Sequence, residues 1–358
     1  MKAIQITRYA DTPTLTDIEQ PSPGPGEVLI HVAGAALNPL DLKITAGYMH
    51  EFSPVQFPYT LGTDVSGTIT ALGDRVQGWA VGDRVVARLD PSAGGGYAEF
   101  AVVPADQLVT APTSIPLFLV SGAATAAATA WQALTEVAQV QAGQKVLIQA
   151  GAGGVGSFAV QMAHQLHAHV ITTASGAGVQ IAHDLGADEV LDYSAGPFGA
   201  ELAGVDVVID TVGGAVEEQS LDVLRPGGLL VAVPMPPDTE RATARGLRAE
   251  FVFHASDAQR LATVTAMLDH NIRVLLDRAQ DLQQGPQALE YLAAGHAKGK
   301  IILTPPLPDP SPPWSAVGGA VEPPLSDTAG EYPARSRAFF GPDAKASGQA
   351  EEGANVNG

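Results

Sequence analysis

Over the first 112 residues, short apolar or alternating runs are separated by Gly, Pro and Asp-Arg breakers. EVLIHVAGAAL (Glu27–Leu37), SGTITALG (Ser66–Gly73), DRVVARL (Asp83–Leu89) and YAEFAVV (Tyr97–Val103) all have strand length and strand composition. The opening MKAIQITRYA also alternates and lacks the apolar core of a signal peptide. Residues 1–113 are therefore expected to form a compact β-rich unit. From Ser114 the rhythm changes. KVLIQA (Lys145–Ala150), HVITTA (His169–Ala174), DEVLDY (Asp188–Tyr193), VDVVIDTV (Val205–Val212) and GLLVAV (Gly228–Val233) predict strands. Helical stretches such as GSFAVQMAHQL and VQIAHDLGA lie between them. Most of these strands are apolar along their whole length, which predicts a parallel sheet covered on both faces across 114–252. In 253–304 the alternation fades into two helices and a closing strand, GKIILTP. From 305 to 358 the chain is rich in Pro, Gly, Ala, Ser and Glu. Such a composition cannot bury enough apolar surface to offset its ordering entropy, so a disordered tail is expected there.

The most membrane-like stretch is LVSGAATAAATAWQAL (Leu119–Leu134). Its Ser, Thr and Gly content predicts a buried helix instead. The chain has 358 residues, and its charge of −19 disfavours nucleic acid or an anionic membrane as partner. Cysteine is absent, which removes disulfides, thiolate metal sites and cysteine nucleophiles together. A cytoplasmic enzyme is the expectation.

Gly151-x-Gly153-x-x-Gly156 follows the apolar strand KVLIQA directly and opens a helix with Phe158, Met162 and Leu166 along one stripe. Among 39 glycines the spacing alone means little, but this placement makes it a dinucleotide fingerprint. Gly151 is expected to permit the tight turn, Gly153 the approach of a pyrophosphate, and Gly156 close packing of helix on strand. Gly154 and Val155 at the helix start belong to the same cradle. The next strand ends Thr172-Thr173-Ala174-Ser175-Gly176, with no acid until Asp184. A carboxylate there would bind the ribose of NAD and repel a 2′-phosphate, so NADPH is favoured. Thr173, Ser175 and Tyr193 are the candidate phosphate contacts, although no Lys or Arg lies in the stretch.

With these motifs in order, NPLDLKITAG, PYTLGTDVSG, VGDRV, GGYAEF, TAWQAL, the glycine loop, LGADEVLDY, VIDTVGG, LRPGGLLV and GHAKGKIIL, residues 1–305 resemble a family. It is the zinc-free quinone oxidoreductase (zeta-crystallin-like) branch of the medium-chain dehydrogenases/reductases. The resemblance implies a GroES-like catalytic domain, an inserted Rossmann domain, a return of the chain to the first domain, an active-site cleft between the two, and a homodimer. Zinc-dependent relatives carry Cys where Asn38 stands and Gly-His-Glu where Gly62-Thr63-Asp64 stands, so no metal is expected here.

By the same resemblance, Asn38 contacts the nicotinamide end or the substrate oxygen, and Thr129 holds the carboxamide. Tyr48 donates a proton or lines the pocket. Val212 in DTVGG lies near the adenosine ribose, Val233 lies beside the nicotinamide, and Lys300 reaches the cofactor. From the residues alone, Asn38 reads equally as a turn residue before Pro39, and Lys300 as an exposed lysine at a strand entry. Asp41 and Asp64 read as functional acids or as buried carboxylates capping loops, and Tyr59 and Phe253 as pocket walls or plain packing. Metal-free hydride transfer from NADPH to quinones or related activated carbonyl compounds is the expected activity, on a small electrophilic substrate. The alternatives are an enoyl-thioester reductase of the same superfamily and a non-catalytic NADPH-binding sensor or structural protein.

Overall fold

The computed structural model describes residues 1–196 and 202–306, all within one compact unit, Met1–Ala320. The expected tail from 305 lies outside the described residues apart from Pro305 and Pro306.

The β-rich first part forms β1 (Lys2–Ile6), β2 (Thr14–Asp17), β3 (Glu27–Ala36), α1 (Pro39–Thr45), β4 (Tyr59–Thr60), β5 (Asp64–Leu72), β6 (Arg84–Arg88), β7 (Phe100–Pro104) and β8 (Val109–Thr110). β3 is ten residues long with buried Val28, Leu29, Ile30 and Val32, and it pairs antiparallel with both β5 and β7. α2 (Leu117–Val120) and α3 (Ala126–Trp131) follow, and the helix runs on through a π-helical stretch, Gln132–Val137. Leu117–Val137 is long and apolar enough to cross a membrane, yet 67% of its most apolar 18-residue window is buried inside the molecule. Its alanines pack against the sheet and helices of the second part, as the small-residue composition predicts.

That second part contains β9 (Lys145–Ile148), α4 (Gly154–Gln165), β10 (His169–Ala174), α5 (Ala177–Asp184), β11 (Glu189–Asp192) and β12 (Val205–Asp210). It continues through α6 (Ala215–Val223), β13 (Leu224–Ala232), α7 (Thr239–Ala244) and β14 (Arg248–Phe251). Its sheet is parallel throughout, in the order β11-β10-β9-β12-β13-β14. Numbered within the sheet, that is 3-2-1-4-5-6, the doubly wound Rossmann order. One face is sealed by α3, α4 and α8 (Ala258–Met267); the other is sealed by a second cluster built on Leu147, Ile171, Val208 and Leu221.

The chain then forms β15 (Leu276–Asp281), α9 (Gly285–Ala293) and β16 (Lys300–Thr304). β16 pairs antiparallel with β3 through Ile302↔Ala36 and Leu303↔Ala35, so the last strand rejoins the first sheet. A GroES-like β-rich lobe and a Rossmann lobe are thus tied by a strand that enters one directly beside the glycine loop of the other.

Candidate active site

The strand order of the parallel sheet reverses between β9 and β12, and ligands of such sheets bind in the crevice outside the strand ends there. The glycine loop fills that position. The left-handed turn falls on Ala150, at φ 52°, and not on Gly151 as expected. Gly151 is required for another reason: a Cβ there would stand 2.1 Å from Thr172 Oγ1. Gly156 is likewise fixed, because its Cβ would stand 2.1 Å from the Ala150 carbonyl oxygen.

Gly153 is different. Its φ of −83° and ψ of −178° suit any residue, and the nearest atom to an added Cβ is 3.1 Å away. The backbone does not require a glycine at this helix N-cap, and the Ala150 carbonyl oxygen would crowd a side chain there far less than at Gly151 or Gly156. Beyond it, the N–H groups of Gly154, Val155 and Gly156 donate to no acceptor among the described residues. Three free donors at a helix N-terminus, behind a residue without a side chain, form a cradle that fits a dinucleotide pyrophosphate.

The phosphate contacts expected on β10 divide. Thr173 is buried; its hydroxyl donates to Gln149 Oε1 at 2.7 Å and accepts from Ala150 N–H at 3.0 Å. It braces the loop from beneath and has no capacity left for a phosphate, which corrects the expectation. Ser175 and Tyr193 stand at the surface, the serine hydroxyl donating to the tyrosine oxygen at 2.7 Å. A cation missed in the sequence comes close to the start of α5. Lys298 Cε comes within 4.0 Å of the Cβ position of Gly178, which follows Ser175 by three residues, and its ammonium has no ion pair or hydrogen bond among the described residues. Local inspection of β10 and α5 could not reveal it, because Lys298 arrives with the returning strand some 120 positions later in the chain.

At the ends of β12 and β13, Asp210 is buried and accepts from the N–H groups of Val212 and Gly213, both at 2.8 Å. Thr211 is tied to the Gln149 carbonyl at 2.7 Å, and Val233 N–H to the Asp210 carbonyl at 2.9 Å. Half-exposed Val212 and part-buried Val233 are thus brought to the same crevice as the glycine loop.

On the β-rich side a buried polar network meets this crevice. Asn38, at the N-cap of α1, is surrounded by groups that dictate its orientation. The Lys300 ammonium, which only donates, lies 2.6 Å from Asn38 Oδ1; the Asp64 carboxylate, which only accepts, lies 2.9 Å from Nδ2. Lys300 also donates to the Leu37 carbonyl at 2.8 Å, and its stem passes 3.4 Å from the Cβ position of Gly154. Lys300 is therefore buried, which overturns the exposed strand-entry reading, and it physically links Asn38 to the glycine loop. Burial pulls its pKa down, opposed by Asp64 and Asp41. Asn38 is more than a turn residue, but its amide is already engaged, with the second Nδ2 hydrogen toward the Ala36 carbonyl at 3.4 Å.

Asp64 accepts from Thr125 N–H and hydroxyl as well, at 3.0 and 2.6 Å, and Arg88 joins Thr125 to Ser256. Asp41 accepts from Asn38 N–H at 2.7 Å and from the Tyr97 hydroxyl at 2.6 Å through one oxygen; its other oxygen is buried without a partner. Burial raises the Asp41 pKa to about 7.

Thr129 is buried on α3, and its hydroxyl bonds to no described residue. Tyr48 is not gathered into the network: its side chain is 77% exposed and its hydroxyl has no partner among the described residues. The expected proton-donor role finds no support in that position, which follows Gly47 at φ 84° and faces solvent. Tyr59 is buried with its hydroxyl on the Pro91 carbonyl, so it is a packing residue, whereas Phe253 is exposed.

A GroES-like lobe joined to a Rossmann lobe, with a nicotinamide-dinucleotide cradle where they meet, defines a medium-chain dehydrogenase/reductase. Residues 24–113 match the alcohol dehydrogenase GroES-like domain and 185–303 the family described as zinc-binding dehydrogenase. The chain is 31% identical over 326 residues to the chloroplastic quinone-oxidoreductase homolog of Spinacia oleracea, covering 85% of this chain and 98% of that one. It is 32% identical over 324 residues to the mitochondrial NAD(P)H oxidoreductase RTN4IP1 of Danio rerio, covering 78% and 84%. Among solved structures, the quinone oxidoreductase of Coxiella burnetii superposes with a TM-score of 0.80 at 32% identity, over 85% of this chain and 99% of that one. The chain belongs to the quinone oxidoreductase family of medium-chain dehydrogenases/reductases. It is an oxidoreductase with a nicotinamide cofactor.

Proposed function

We propose that the protein is an NADPH-dependent, metal-free reductase of quinones or related activated carbonyl compounds. When bound, the dihydronicotinamide supplies a hydride; the chain's own residues position the acceptor and stabilise the charge left on its oxygen. Quinones and conjugated carbonyls spread that charge over their own π-system, so a Lewis acid is not required.

The observation that carries the metal-free reading is the Lys300–Asn38–Asp64 network. Where the zinc-dependent relatives carry Cys and the last residue of Gly-His-Glu, Asn38 and Asp64 are hydrogen-bonded to each other, and an ammonium already sits on Asn38 Oδ1. A fixed cation and a neutral amide are a poor donor set for zinc, which favours thiolate and imidazole. Preference for NADPH is supported by Lys298 close to Gly178, three residues past Ser175, and by the lack of an acid at the end of β10. A homodimer and a cytoplasmic placement belong to the same proposal, although the two named relatives are chloroplastic and mitochondrial.

The test is oxidation of NADPH and NADH with benzoquinones, naphthoquinones, simple enones and crotonyl-CoA, for wild type and Lys298→Glu. Quinones should be consumed faster than crotonyl-CoA, EDTA should change nothing, and K298E should raise the KM for NADPH at least about tenfold, equivalent to about 1.4 kcal/mol, while sparing NADH. Faster turnover of crotonyl-CoA would favour the enoyl-thioester reductase. Tight NADPH binding with no acceptor consumed would favour a sensor, and loss of activity on chelation would contradict the metal-free site.

A further inference from the structure

We propose that Lys43 is the general acid of this site, giving a proton to the substrate oxygen as negative charge develops on it. The inference rests on the reductase reading above. α1 carries Lys43 across the crevice, where its Nζ donates to the carbonyl oxygen of Pro234, the residue that follows Val233 at the exit of β13. That places an ammonium at the carboxyl edge of the parallel sheet, on the catalytic-lobe side of the cofactor cradle. An ammonium has three protons, and Pro234 takes one. Lys43 forms no ion pair among the described residues, and half-burial pulls its pKa below that of an ordinary lysine, which favours release of a proton.

Among the described residues no neighbouring acid neutralises it. Asp41 on the same helix is turned to Asn38 and Tyr97, and Glu51 beyond the helix lies by His50. Across the crevice, Asp210 is held by Val212 and Gly213, and Asp238 caps α7. On α9, which packs against α1, Glu290 is exposed and the Tyr291 hydroxyl is bonded to Asp277. Among other candidate donors, both Asn38 amide hydrogens are engaged, Arg88 is spent on Thr125 and Ser256, Tyr48 faces solvent, and the Thr129 hydroxyl is a far weaker acid than an ammonium. The residues around its acceptor, Val233 to Pro236, are all apolar. The Val212–Gly213 turn abuts Pro234 and Met235, the latter 53% exposed. An apolar rim with one unpaired ammonium suits a flat, electron-poor carbonyl compound whose oxygen is its one strong acceptor.

The step balances. Hydride addition to the substrate carbon breaks a π bond and leaves its electron pair on oxygen, directly or through conjugation. An N–H bond of Lys43 breaks as the O–H bond forms, and the neutral amine regains a proton from water. The carbonyl compound is reduced and the dihydronicotinamide oxidised.

Lys43→Gln and Lys43→Met separate this role from that of a tether between the lobes, because glutamine keeps a donor for the Pro234 carbonyl but has no acidic proton. Both variants should lose about 100-fold in kcat with 1,4-benzoquinone and keep KM for NADPH within about twofold, in line with the usual contribution of general acid catalysis. A second readout needs no turnover: 4-nitrophenol titrated by absorbance with protein and oxidised cofactor. It should ionise about one pH unit lower with wild type than with K43Q, since a nearby ammonium favours the phenolate. Wild-type kcat in K43Q, or nitrophenol titrations identical in the two proteins for any reason, overturns the assignment. Wild type that oxidises NADPH with no acceptor overturns the reductase reading instead.

Discussion

Asp41 has one carboxyl oxygen served by two donors and the other buried with none. Desolvation outweighs the Tyr97 and Asn38 hydrogen bonds, and the pKa moves from 3.8 to about 7. The native state therefore binds one proton more than the unfolded chain between these values, so this group's contribution to stability falls as pH rises through the window. At about 1.4 kcal/mol per pH unit the span is worth on the order of 4 kcal/mol. Asp41→Asn keeps an acceptor for Asn38 N–H and the Tyr97 hydroxyl while removing the titration. Urea unfolding at pH 4, 5.5 and 7 should show wild type losing stability relative to D41N across the series; parallel curves would contradict the buried carboxyl. Lys300 poses the reverse problem: an ammonium placed on two neutral oxygens, stabilised by Asp64 and Asp41 at longer range.

Among the elements, those read most easily from sequence are those whose pattern is local. The largely apolar runs of β9, β10, β12 and β13 show a sheet buried on both faces, and the glycine loop is visible because strand, turn and helix are contiguous. What stayed hidden was set by tertiary approach. Thr173 looked like a phosphate contact because it lies at a strand end, but on a sheet covered on both faces its side chain is buried, and it turns to Gln149. Lys298 and Lys43 gave no local signal, because each approaches a segment far from it in sequence, Gly178 and Pro234 respectively. The two-residue strands β4 and β8 are too short for any periodicity. The roles of the glycines separate cleanly at this scale. Gly156→Val pushes a side chain into the Ala150 carbonyl and should lift α4 from β9, at a cost of about 1–3 kcal/mol or more. A clear drop in melting temperature without cofactor checks this; an unchanged melting temperature would contradict the packing role.

For the whole molecule, the two lobes matter less as separate bodies than for what crosses between them. Lys300 leans its stem on the glycine loop and its charge on Asn38, Arg88 reaches Ser256, and Lys43 reaches Pro234. The crevice is thereby lined by residues from both ends of the chain, brought together as β16 returns to β3. The central claim is that the cradle at the start of α4 is open for a pyrophosphate and that Gly153 is glycine chiefly for that ligand. Calorimetric titration of NADPH into wild type and Gly153→Val, with melting temperatures recorded without cofactor, tests it most directly. The predicted result is binding by wild type, no measurable binding by G153V, and melting temperatures within a few degrees. A G153V protein that holds NADPH as tightly as wild type would contradict it.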